Sequence, residues 1–157
     1  MDPFSIILGL RLTLHNGSRV LLDVPLTHEE WQNEARELVT RELDHVDSNL
    51  DDILEICDFF SNRRRLQMVS HMVREDGHSS SFTDLLKVAV NPKYVSDLVN
   101  RSPGKGLVVK DGRGYRMSPA GLGSFLLLSI GTKKVLEELD AINSGDKSFE
   151  EESPDES

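Results

Sequence analysis

Leucine recurs at every second position near the start of the chain. Leu8, Leu10, Leu12 and Leu14 fall on one face, with Gly9, Arg11 and Thr13 on the other. An Asn16-Gly17 pair interrupts the alternation, which Val20, Leu22 and Val24 resume, so the spacing predicts a β-hairpin closed by "HNGS" and ended by Pro25. The period then changes from two to that of a helix. Thr27 and Glu30 form a capping box, and Trp31, Ala35, Leu38, Val39, Leu43 and Val46 mark an amphipathic helix to about residue 46.

Ser48 and Asp51 form a second capping box, opening a helix with Ile53, Ile56, Cys57 and Phe60 on its apolar side. After Ser61-Asn62, the run "RRRLQMVSHMVRE" places Leu66, Val69, Met72 and Val73 at helical spacing, and Gly77 stops it. Ser81 caps a short helix with Phe82, Leu85 and Leu86. Asn91-Pro92 opens the next, which turns Val95, Leu98 and Val99 inward and ends at "SPGKG". "LVVK" and "GYRM" flank an Asp111-Gly112 turn as short strands. Ser118-Pro119 starts a last helix, "AGLGSFLLLS", with Gly131 as a point of bending before "TKKVLEELDAI". The ending 144–157 is acidic and nearly free of apolar residues, so disorder is expected there. No internal repeat is visible.

These elements divide the chain into an N-terminal hairpin and helix (1–47), a helical core closed by a hairpin (48–118), a C-terminal helix (119–143) and the tail (144–157). The class is α+β and mainly helical. Between residues 62 and 117 the order is helix, short helix, turn, helix, strand, basic turn, strand, which is that of a winged helix-turn-helix.

Charge sharpens this picture. The formal total of −9 argues against an anionic partner, but its distribution does not. Residues 1–59 hold 4 Lys/Arg against 13 Asp/Glu (−9), 60–118 hold 11 against 5 (+6), and 119–157 hold 3 against 9 (−6). The middle third is where an anionic partner would be met. The only cysteine, Cys57, allows no disulfide within the chain and fits a reducing compartment. The run "FSIILGLRLTL" is too short to span a bilayer and lacks signal-peptide features, so a cytoplasmic, nucleoid-associated protein with no membrane partner is expected.

Enzymatic signals are weak. "GRGYRM" has Met117 where a dinucleotide fingerprint needs a third glycine, and a strand follows it, not a helix. "SPGKGL" has glycine after Lys105 where a P-loop needs Ser or Thr. His71 and His78 stand seven apart and out of phase with Cys57, so no metal site is expected. No catalytic residues and no cofactor are implied.

Several motifs together carry a family resemblance: Arg65-Leu66 opening a helix, Val95-Ser96 in the third helix, Gly106-Leu107-Val108 entering the hairpin, and Tyr115, Met117, Ser118 and Gly121 leaving it. Over roughly residues 50–130 the chain resembles winged helix-turn-helix transcription regulators of the arsenic-repressor and multiple-antibiotic-resistance-regulator type, particularly archaeal ones. The resemblance implies a homodimer that binds double-stranded DNA with the Asn91–Arg101 helix and the hairpin, pairing through the C-terminal helix. Its metal-sensing members place cysteines on the recognition helix. This chain has none there, and the effector stays open.

The candidate DNA contacts are Asn91, Lys93, Tyr94, Ser96, Asn100 and Arg101 on the helix, and Lys105, Lys110, Arg113 and Arg116 around the hairpin. Arg reads guanine and Asn reads adenine through paired hydrogen bonds, while Lys and Ser hold phosphates. A solvated helix face and a solubilising hairpin tip are the plainer readings. Asp97 would repel phosphate unless it pairs with Lys93 or Arg101, accepts from a cytosine amine, or points aside. Arg63, Arg64 and Arg65 at a helix start oppose its dipole, which fits either a phosphate contact or a salt bridge to the acidic N-terminal region. Leu122, Phe125, Leu126 and Leu128 fit a dimer interface or packing within the chain. The use of the N-terminal hairpin stays open. A different class of function, a winged-helix protein-interaction module in a transcription or repair assembly, would use the acidic ends on basic partners.

Overall fold

The computed structural model describes residues 10–26, 31–102 and 106–150, with side chains to residue 141. The chain is α+β and mainly helical, with small antiparallel sheets. It divides into two units, Leu50–Lys134 and the remainder (Met1–Asn49 with Val135–Ser157). Among the described residues no helix is long and apolar enough to cross a membrane.

In the N-terminal part, β1 (Arg11–Asn16) and β2 (Arg19–Pro25) pair antiparallel. Gly17, at φ +60°, opens the two-residue turn between the Asn16–Arg19 pair. Leu12 faces Val24 and Leu14 faces Leu22, but the register shifts between Leu14 and His15. His15 therefore pairs with Val20, leaving Leu21 as the extra residue. This bulge takes Val20 off the leucine face, against the simple alternation. On the opposite face Asp23 accepts from Arg11 Nε at 3.0 Å and from the Thr13 hydroxyl at 3.3 Å.

Helix α1 spans Asn33–Ser48. Trp31 precedes the helix, because its indole N–H donates to Pro25 O at 2.9 Å and ties it to the end of β2. The Thr27–Glu30 capping box lies outside the described residues. Ser48 closes α1 and caps nothing. Its neighbour Asn49 ends the helix, with its amide N–H on Val46 O.

The unit Leu50–Lys134 is built on α2 (Leu50–Phe60) and α3 (Arg63–Arg74). A 3-10 turn (Asp76–His78) then leads to β3 (Ser79–Ser81), α4 (Phe82–Ala89) and α5 (Pro92–Asn100). The β4 (Val108–Asp111) and β5 (Gly114–Met117) hairpin and α6 (Pro119–Leu126) follow. Local capping chemistry sets most of the boundaries. Asn62, Ser81, Asn91 and Ser118 each accept a backbone N–H of the first turn of α3, α4, α5 and α6. A π-helical segment, Leu127–Gly131, joins α6 to α7 (Thr132–Glu150), a local widening at the expected bend. Helix α7 is assigned as far as Glu150. Residues 151–157 of the acidic ending lie outside the described residues.

The three-stranded sheet has order β3-β5-β4, all antiparallel. The core beneath it joins Met68, Val69 and Met72 of α3 to Leu85 and Ala89 of α4 and Val95 and Leu98 of α5. Leu107, Val108, Tyr115 and Met117 close it from the hairpin, and Phe59, Phe60 and Phe125 from the outer helices. Met68 and Phe59, outside the helical spacing that predicts the core, are fully buried, whereas Cys57, on the predicted apolar face, is exposed. Phe59 meets Phe60 edge-to-face with centroids 5.0 Å apart.

Candidate nucleic-acid interface

Helix α5 exists as an amphipathic element because Val95 and Leu98 recur three apart and are fully buried. Pro92 at its first turn and Asn91 as its cap fix where it starts, with Asn91 Oδ1 accepting from Lys93 N at 2.9 Å. That bond gives Asn91 a structural task before any ligand is considered. Lys93, Tyr94, Ser96 and Asn100 are exposed along the helix, Tyr94 by 41%, and Arg101 is exposed at its C-cap. Asp97 is half-buried and forms no ion pair with Lys93 or Arg101, although both stand four residues away. Of the three readings of Asp97, pairing with Lys93 or Arg101 is not found, and among the described residues the carboxylate has no ion-pair partner.

Ser102 couples the end of α5 to the sheet. Its hydroxyl accepts from Leu107 N at 2.7 Å and Val108 N at 3.2 Å, pinning the start of β4 to the helix. On the far side of the hairpin, Ser118 N donates to Leu107 O at 3.0 Å. The Ser118 hydroxyl adds a 3.2 Å bond to the same oxygen. Helix and hairpin are thus joined through Leu107. Neither serine's link to the strand was evident from the sequence, beyond the helix-cap position of Ser118.

In the hairpin, Gly112 at φ +59° makes the turn between the Asp111–Gly114 pair. Strand alternation separates the cations. Lys110 pairs with Tyr115 on the face of Val108 and Met117, whereas Arg116 pairs with Val109 on the other face. Arg113 stands exposed at the tip. Arg116 Nε lies 3.5 Å from Asp111 Oδ2, a half-exposed pair that ties up one of the expected contacts. The basic residues therefore spread over both faces and the tip of the hairpin. Lys105 lies outside the described residues. Gly114 serves close packing inside the sheet, since a Cβ there would stand 2.5 Å from Ser80 O of β3.

The arginine triplet divides by role. Arg65 Nε donates to Phe59 O at 2.7 Å and its guanidinium to Asp58 O at 3.0 Å, capping the carbonyl end of α2. The same group lies over the Phe59 ring, 5.4 Å from its centroid. Its partners are helix carbonyls, not the acidic residues a salt bridge would have used. Arg63 and Arg64 are exposed, with no ion pair among the described residues. Among the described residues no group of three or more His, Cys, Asp or Glu is placed to hold a metal ion.

Compared with known proteins, the chain matches no family model, and no curated protein or solved structure matches it significantly.

Proposed function

We propose that the chain is a DNA-binding transcription regulator whose Leu50–Lys134 unit is a winged helix-turn-helix, with α5 as recognition helix and the β4–β5 hairpin as wing. One observation carries the reading. An amphipathic helix presenting Lys93, Tyr94, Ser96, Asn100 and Arg101 is tied through Ser102 to a hairpin presenting Lys110 and Arg113. A helix of this kind fits a major groove, and a cationic hairpin tip fits the adjoining phosphates or minor groove. The +6 charge of residues 60–118 supports an anionic partner within a chain that is acidic overall.

The reading includes a homodimer. Leu127 (48% exposed), Leu128 (40%) and Ile130 (54%) form an apolar run on the π-helical segment. Two apolar grooves flank it on either side of Phe125, one lined by Cys57, Phe60 and Leu66 and the other by Val73 and Ile130. A twofold mate covering this face would give the assembly two recognition helices, as binding to paired half-sites requires. Asp97 favours the other reading, a winged helix that binds protein, because on the helix that would enter the groove it has no ion-pair partner among the described residues. Footprinting of the tagged protein across its own genome separates the two: discrete protected sites are expected for a regulator, and none for a protein-binding module.

A further inference from the structure

A groove of about 600 Å³ lies between the C-terminal end of α3, β3 and the tip of the β4–β5 hairpin. That is the size range of small-molecule sites. Its lining includes three carboxylates, Glu75, Asp84 and Asp111, together with Arg113 of the hairpin tip and the half-buried imidazole of His71. Two of the carboxylates are already answered. Asp84 Oδ1 holds Lys87 Nζ at 3.1 Å, and the Ser81 hydroxyl together with Lys87 keeps its carboxyl below the usual range. Asp111 holds Arg116.

Beside His71, Glu75 and Arg113 remain as the unanswered acidic and basic side chains. Both are exposed, of opposite sign and on different elements of the groove. They form no ion pair with each other or with any other described residue. An anionic ligand would meet Arg113 but be repelled by Glu75, and a simple cation would meet the reverse. A small molecule carrying both charges satisfies both walls at once.

We propose that this groove binds a free amino acid, its carboxylate on the Arg113 guanidinium and its ammonium group on the Glu75 carboxylate. Arg113 offers the paired donors that suit a carboxylate, and Glu75 is an acceptor for an ammonium. The regulatory consequence rests on the DNA-binding reading: Arg113 cannot serve a ligand carboxylate and a DNA phosphate together. The amino acid then weakens DNA binding, and DNA weakens amino-acid binding by the same factor.

The test is thermal melting of the full chain with each standard amino acid in turn at millimolar concentration, followed by calorimetric titration of those that act. At least one amino acid is expected to raise the melting midpoint by a few degrees, while its N-acetyl amide, which lacks both charges, leaves it unmoved. Glu75→Gln should weaken that binding by about tenfold, the scale of one charge-assisted contact, and leave duplex affinity in the absence of amino acid unchanged. Arg113→Gln should weaken both. No shift with any amino acid, or an equal shift with the blocked derivative, overturns the proposal. A titration with duplex alone reports separately on the DNA-binding reading, so the two can fail independently.

Discussion

Gly121 packs directly on the carbonyl of Leu107, so close that a Cβ at residue 121 would collide with Leu107 O and press on Met117 Cε. The same carbonyl accepts from Ser118, so the exit of the hairpin and the first turn of α6 are locked on one oxygen. Gly121→Ala has no space to enter and should destabilise the protein by about 1–3 kcal/mol, the usual range for overpacking. Gly123, two residues on in the same helix, meets nothing within 4 Å. Gly123→Ala should stabilise by up to about 1 kcal/mol through helix propensity alone. Urea unfolding of the two variants checks both signs.

Arg65 is a fastener between α2 and α3. Removing it leaves the carbonyls of Asp58 and Phe59 without their guanidinium donor and strips a cation from the Phe59 ring. Arg65→Ala should cost about 1–3 kcal/mol, and Arg65→Lys should restore only part, since an ammonium cannot reproduce the planar fork. Arg64→Ala, at an exposed position, should stay within about 0.5 kcal/mol of the parent. Parallel thermal melts distinguish the three.

Val90 ends α4 in the left-handed region at φ +67°, and the residue is 75% exposed. A β-branched residue there is strained, and no burial offsets the strain. Val90→Gly should raise stability by about 1 kcal/mol, measured as a higher denaturation midpoint at unchanged slope. A lower midpoint would show that the turn between α4 and α5 depends on the valine.

The apolar run at Leu127, Leu128 and Ile130 gives the proposed homodimer its test. A charge at an exposed position costs the monomer little, but it costs a buried dimer contact heavily. Ile130→Asp should shift the mass measured by light scattering from two chains to one and leave the melting of the monomeric unit nearly unchanged. A parent chain that is already monomeric at micromolar concentration contradicts the dimer.

Much of the fold is legible locally. Asn62, Ser81, Asn91-Pro92 and Ser118-Pro119 act through neighbours within one turn, so their helix starts are readable from the sequence. What stayed hidden depends on distant partners. Ser79-Ser80-Ser81 has no apolar alternation and is a strand because β5 pairs with it. Arg65 looks like a DNA cation until the end of α2 is placed beside it. The bulge at Leu21 keeps every residue's polarity unchanged while altering which face it occupies. Of the candidate contacts, those on α5 were readable from the period of Val95 and Leu98. The division of Lys110 and Arg116 between two faces follows only from the strand register.

Salt-dependent duplex binding tests the central claim most directly. The dissociation constant of the full chain for its footprinted duplex, measured by fluorescence anisotropy across a salt series, should rise with a slope near 0.9 for each phosphate neutralised. Arg113→Ala should lower that slope by about 1 and weaken all sequences alike, whereas Arg101→Ala should weaken the specific site in preference to random duplex. No salt-dependent affinity for any duplex near micromolar protein, with the chain folded, would contradict DNA binding through this helix and hairpin.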